Sequence, residues 1–257
     1  MREIRPIREQ EADAFLELLC SVFGLDLGRA SHVFYHEPLY DLSRKWAVFE
    51  GREIVSILTT TPLEFGWGMA IGIAGVATKQ NRRGQGIAGQ LLERVLREAD
   101  RNNEHVAFLF ANRPDVYQRA GFRVVDHVIR APILAARVFR EQPYISESDV
   151  RRIYNTWASA HPDRLRRDDR RWKLWQFNMR RGVPLLGGYA CAEGGLLREC
   201  VPFELAASWP LERGTEWFGL HSMASQLGMP LGEIRRELLL MSRAASAPPQ
   251  MFMTDQF

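Results

Sequence analysis

Apolar positions change period several times along this 257-residue chain, and each change predicts an element. Residues 4–7 are short and strand-like. Phe15, Leu18, Leu19, Val22 and Phe23 recur at three- and four-residue spacing, which predicts an amphipathic helix stopped by Gly24. Residues 31–40 are a second, shorter helical segment. Apolar and β-branched runs at 46–50 and 53–65, joined by the turn Glu50-Gly51-Arg52-Glu53, predict a hairpin, and Gly66-Trp67-Gly68 turns the chain into a third strand at 70–78. A polar, glycine-rich stretch, KQNRRGQGIAGQ, follows. Helical period then returns at Leu91, Leu92, Val95, Leu96 and Ala99. Residues 105–110 read as an apolar strand buried on both faces, residues 112–118 as a short helix stopped by Gly121, and residues 122–130 as one more strand. This order belongs to an α/β layer with a mixed sheet.

The second half echoes that order. Helices are predicted at 148–160 and 168–180, a hairpin at 185–191 and 196–203 around Glu193-Gly194-Gly195, and a strand at 216–220. A short helix from 222 and a last apolar strand at 237–241 complete it. Between Leu220 and Leu231 the chain reads HSMASQLGMP, with no glycine-rich basic loop. The expected division is a domain over 1–130 and a second over 131–257, an old duplication that kept the scaffold and lost the loop.

Composition narrows the function classes. Lys+Arg is 34 against Asp+Glu 31, a net charge of +3, too near balance to supply the field of a general nucleic-acid binder. Arg164, Arg166, Arg167, Arg170, Arg171 and Lys173, with Trp172 and Trp175, imitate an RNA-binding patch. Asp163, Asp168 and Asp169 interleave with them and point instead to intramolecular pairing or packed Arg stems. Cys20, Cys191 and Cys200 form no C-x-x-C pair or even disulfide framework, so a reducing compartment is expected. The start, MREIRPIREQEAD, lacks the pattern of a secretory signal, and the longest apolar stretch, 69–77, is half a membrane span. A cytoplasmic protein without membrane or nucleic-acid partners is expected, its oligomeric state open. His32 and His36 stand at i and i+4 with no third ligand in view, so no metal is assigned.

The chemistry lies in the loop at 83–88. Glycines between a strand and a helix let several backbone N–H groups converge, the helix N-terminus adds roughly half a positive charge, and Arg82 and Arg83 stand beside it. Such a loop suits a phosphate or pyrophosphate. Neither the Walker Gly-Lys-Ser/Thr nor the G-x-G-x-x-G spacing is present, which sets aside nucleotide hydrolysis and dinucleotide redox chemistry.

GVATKQNRRGQGIAGQLLERVL resembles the acetyl-coenzyme A (acetyl-CoA) motif of the GCN5-related N-acetyltransferases (GNAT), Q/R-x-x-G-x-G/A, with Arg83, Gly84 and Ala88 at its positions together with Gly86. LFANRPDVYQRAGFRVV resembles the same family's second motif, a strand followed by a short tyrosine-bearing helix and then G-F. The resemblance implies a GNAT fold with a central mixed, mostly antiparallel sheet, and a second, degenerate GNAT-like α/β domain. It implies that Val76, Ala77 and Thr78 hold the pantetheine arm, that Arg83, Gly84, Gln85, Gly86, Ile87 and Ala88 cradle the pyrophosphate, and that Asn112 contacts acetyl-CoA. Tyr117 is placed near the thioester sulfur as general acid. No metal is implied.

The family's common strand glutamate is missing, since 70–78 reads AIGIAGVAT. Glu64 is the nearest acid. The paired halves also resemble acetyltransferases of the enhanced intracellular survival type, longer proteins with an extra domain, in which the C-terminal carboxylate reaches the site. By that likeness Phe257 is a second source of a base, and water a third. The segment after the first helix overlies the acceptor in this fold, which nominates Phe34, Tyr35, His36 and Tyr40, with Trp67. The function expected is acetyl transfer from acetyl-CoA directly to a primary amine of a small molecule, aminoglycoside- or polyamine-like. Alternatives are acetylation of protein lysine or N-terminal amines, and a non-catalytic acyl-CoA sensor.

Overall fold

A computed structural model describes residues 2–134, 145–179, 182–185, 188–201, 211–245 and 247–257. The first half runs β1 (Arg2–Pro6), α1 (Ala12–Phe23), α2 (Leu27–His36), β2 (Lys45–Glu50), β3 (Glu53–Phe65), β4 (Gly68–Thr78), α3 (Ile87–Arg101), β5 (Val106–Ala111), α4 (Asp115–Gln118) and β6 (Arg123–Pro132). The second runs α5 (Glu147–Ser159), α6 (Asp169–Asn178), β7 (Val183–Leu185), β8 (Gly188–Glu193), β9 (Leu196–Val201), β10 (Glu216–Leu220), α7 (His221–Gln226) and β11 (Arg235–Arg243). α1 ends at Gly24 in the left-handed conformation, φ 65°, as its sequence predicts. α2 starts four residues earlier than its apolar pattern suggests, because the Asp26 carboxylate accepts the Arg29 N–H at 2.8 Å and caps it. Glu37, ahead of Pro38, is extended and ends it.

All the strands join one eleven-stranded sheet, ordered β1-β2-β3-β4-β5-β11-β6-β10-β9-β8-β7. Its neighbours are antiparallel except β4–β5 and β9–β10. The α/β class and the mixed, mostly antiparallel sheet are therefore as expected. The strand order adds something local patterns do not contain. β11, from the end of the chain, sits between β5 and β6, while β6 pairs on its other side with β10. Each half gives its last strand to the sheet of the other, and the expected division at 130 falls inside β6.

This arrangement places the counterpart of the glycine-rich loop elsewhere than between Leu220 and Leu231. β9 and β10 are parallel neighbours, as β4 and β5 are, so the segment matching the first-half loop connects β9 to β10, not β10 to β11. Leu220 to Leu231 instead matches the α4 connection, and α7 lies there. The β9–β10 connection, largely outside the described residues, reads PFELAASWPLERGT and also lacks R-x-x-G-x-G.

Two cores flank the first half of the sheet. Ala47, Phe49 and Ile57 face α1 and α2 with Phe15 and Leu16, while Val48, Leu58, Ile71 and Ile73 face α3 with Leu91, Leu92 and Val95. Each fully buried leucine or valine contributes ~1.5–3 kcal/mol, and the alternation along β2 and β4 fixes which face each strand residue serves. Gly72 and Ala74 accordingly lie on the face opposite α3.

Candidate active site

The site begins with a fork in the sheet. β4 and β5 pair only from Ala70↔Val106 to Ile73↔Leu109, although β4 continues to Thr78 and β5 to Ala111. The cause is a bulge: Thr59 pairs Ala74 and Ile57 pairs Ala77, so Gly75 and Val76 together oppose Leu58. Gly75 adopts φ 61°, a conformation in which glycine is favoured, and a Cβ there would meet Leu19 of α1 at 3.1 Å. The pairing of β4 with β5 stops just before this extra residue.

On the α3 face, the chain leaving β4 reaches the glycine-rich loop. Gly84 and Gly86 take φ 78° and 72°, and a Cβ built at Gly84, Gly86 or Gly89 would meet nothing within 4 Å. Gly86 caps α3 without a side-chain hydrogen bond. Among the described residues, the amides from Gly84 to Gly89 donate to no acceptor, and the first α3 amide to do so is that of Gln90, to Gly86 O at 3.1 Å. Unpaired N–H groups and a helix dipole over open space make an anion cradle. Arg82 and Arg2 both pair with Glu50, and Arg2 also donates to the Gln85 side chain, which ties the loop to β1 and β2. Arg83 donates through Nε to Thr78 O at 3.2 Å, and Ser56 donates to Ala77 O at 2.9 Å. Those two carbonyls are thus engaged, and the unpaired stretch of β4 centres on Gly75 and Val76. Asn112 is exposed at the end of β5. Tyr117 packs with Val76 against the α3-face core, its ring 6.3 Å from Phe122, and burial pushes its phenol above its usual range.

On the other face, a cleft of about 630 Å³ is bounded by α1, α2, β3, the bulge of β4, the end of α6 and the chain end. Phe257 belongs to it. Its ring lies on Gly72, where a Cβ would come within 2.2 Å of the ring, and 5.2 Å from the Phe110 ring. Gly72 is thus the strand position that makes room for the chain end.

Of the residues nominated for the acceptor, Phe34 lines this cleft. Tyr35 and His36 follow it on α2 at 100° steps and point elsewhere: Tyr35 donates to Asp13 at 2.6 Å, and His36 Nδ1 lies 2.8 Å from His32 O. Tyr40 meets Phe34 edge-on, with the ring centroids 5.4 Å apart. Trp67 lies on Phe65 in the β3–β4 turn, seven residues and so ~23 Å along the strand from Ala74. Glu64, opposite Met69, is ~16 Å along β3 from the fork and faces Arg166 at 3.8 Å, so the structure does not bring it to the fork.

The chain end is held by a buried cluster, in which Arg167 of the basic run is paired within the molecule, as the interleaved aspartates suggest. Arg167 donates to both oxygens of Glu199, at 3.1 and 2.7 Å, and to both oxygens of Asp255, at 2.8 and 2.7 Å. The three side chains are inaccessible or nearly so. Tyr189, Thr254 and Trp175 also donate to Glu199, and the Arg167 guanidinium lies 3.8 Å from the Tyr154 ring centroid. Arg171 donates to Pro62 O, and Arg164 to Gln250 and Trp157 O. The basic run is largely consumed in joining α6, β9 and the tail. The signal available in the sequence was Glu199, an acid among Leu197, Cys200 and Val201.

Residues 3–125 match the family model of the acetyltransferase (GNAT) domain. No curated protein matches the chain in sequence. Among solved structures, a GCN5-related N-acetyltransferase from Anabaena variabilis superposes with a TM-score of 0.71 at 15% identity, over 95% of this chain and 72% of that one. A putative acetyltransferase from Pyrococcus horikoshii gives 0.71 at 11% identity, over 98% and 92%. Eis1 from Mycobacterium abscessus gives 0.61 at 16% identity, over 93% and 73%. The likeness in fold extends through both halves.

Proposed function

We propose that this chain, whose residues 3–125 match the acetyltransferase (GNAT) domain, moves an acetyl group from acetyl-CoA directly to a primary amine of a small molecule. The supporting observation is the coincidence of three features: the open amide cradle at Gly84–Gly89, the fork beside it, and a cleft that meets the same fork from the opposite face. Bound acetyl-CoA would supply an activated acetyl group. The cradle amides fit its pyrophosphate, the free edge of β4 at Gly75 and Val76 its pantetheine arm, and Asn112 stands at the exit of β5.

An aliphatic ammonium of pKa ~10.4 must lose a proton to attack, which costs about 4–5 kcal/mol at pH 7. The proton needs an acceptor on the cleft face. With Glu64 facing Arg166 away from the fork, we assign that task to a carboxylate at Phe257, whose ring lies over Gly72 in the cleft. Tyr117, on the α3 face, holds a proton for the departing sulfur, and its raised pKa keeps the phenol protonated at neutral pH. The aminoglycoside- and polyamine-like acceptors expected from sequence, and protein amines, are distinguished by the acceptor panel itself. Thiol release from acetyl-CoA that depends on a small primary amine is the expected result. Tight acetyl-CoA binding with no amine turned over would make the protein a sensor and overturn the reading.

A further inference from the structure

The cleft on the α1–α2 face carries a second message, about the body of the acceptor. At its mouth stand Leu25, Val33 and Phe177, exposed by 48, 48 and 39%. Leu19, Leu174 and Phe257 continue this apolar wall toward the fork. Large apolar side chains left bare around one concave site mark a binding surface for an apolar group.

The acidic side chains in the lining are already engaged, and Arg29 adds a cation beside them. Arg44 grips Glu104 through two hydrogen bonds of 2.8 Å. Lys45 pairs with Glu37 at 3.3 Å and lies 4.4 Å from the Phe34 ring centroid. Asp26 caps α2 through the Arg29 amide, and Asp41 accepts from the amide and hydroxyl of Ser43. Every side-chain carboxylate of the lining therefore has a partner within the protein. A polyamine or aminoglycoside would bring several strongly hydrated ammonium groups, each costly to dehydrate without a carboxylate of its own. An amine with a single ammonium needs one proton acceptor at the fork and can rest its remainder on the wall.

We infer that the acceptor is a primary amine with one ammonium on an apolar body, aryl-alkyl or branched alkyl, and not a polycation. The inference rests on the acetyl-transfer reading and narrows its substrate class. With acetyl-CoA saturating, kcat/KM for 2-phenylethylamine and isoamylamine is expected to exceed that for spermidine and kanamycin by at least ~10-fold. Val33→Asp, which places a carboxylate at the mouth, should lower kcat/KM for 2-phenylethylamine by at least ~10-fold, narrow the gap to spermidine, and leave the KM for acetyl-CoA unchanged. Spermidine or kanamycin ahead of the apolar amines in the unmodified protein would overturn the inference while the acetyl-transfer reading stands. So would an apolar preference that appears only in the donor, hexanoyl-CoA over acetyl-CoA. If no amine is acetylated the reaction itself is misread, and thermal-shift titration then decides the cleft: saturable stabilisation by 2-phenylethylamine, lost in Val33→Asp, supports the inference, and its absence or a larger shift with spermidine overturns it.

Discussion

Tyr117 is suited to its task by position and by environment. It stands on α4, just beyond the end of β5, and packs against the same core as Val76, and the burial that holds the ring also disfavours the phenolate. The sign follows directly: burial disfavours the phenolate and raises the pKa, so the alkaline limb of kcat should lie above the ordinary tyrosine range. Tyr117→Phe should lower kcat ~100-fold or more, remove that limb, and leave acetyl-CoA affinity nearly intact, as steady-state pH profiles and calorimetry would show. An unchanged kcat would place the proton donor elsewhere. The same scale explains why single residues misled the sequence reading. Phe34, Tyr35 and His36 look equivalent in a row of letters, yet a helix sends consecutive side chains to different faces and turns only Phe34 into the cleft.

At the scale of elements, what is local was legible. The period-two strand at 70–78, the glycine-rich turn and the period-3.6 helix predicted the β4–loop–α3 unit to within a few residues, because turn chemistry and amphipathicity act over short spans. The bulge at Gly75–Val76 was not legible, since it exists only relative to Leu58 on a neighbouring strand. β7 was likewise hidden: Val183–Leu185 is too short to show a period and was merged with β8. The open cradle gives a direct test. Gly84→Asp places a carboxylate among free amides, on a residue at φ 78°, and should raise the acetyl-CoA dissociation constant at least ~10-fold, about 1.4 kcal/mol, in a calorimetric titration. Unchanged affinity would move the anion site off α3.

Across the whole molecule, the two halves are joined by exchanged strands and by buried charge. β6 and β11 cross into each other's half of the sheet, and Arg167, Glu199 and Asp255 tie the start of α6, β9 and the tail together. Neither feature can be read from periodicity, since each depends on pairing between distant segments; the aspartates interleaved with the arginines indicate pairing within the molecule but not the partners Glu199 and Asp255. Breaking a buried ion pair leaves an uncompensated charge. Glu199→Gln should therefore destabilise the fold by about 3 kcal/mol, which lowers the melting temperature by roughly 6–12 °C in calorimetry. A change of less than ~1 °C would mean the cluster contributes little to the fold.

The central claim is that the fork carries acetyl directly from acetyl-CoA to an amine, with no acetylated residue between them. Rapid-quench mass spectrometry of a single turnover, with acetyl-CoA and a primary amine such as 2-phenylethylamine, tests it most directly. The predicted result is an acetylated amine and free CoA appearing at the same rate while the protein mass stays unmodified. An acetyl group on the protein ahead of product, or bound acetyl-CoA that leaves every amine untouched, would contradict it.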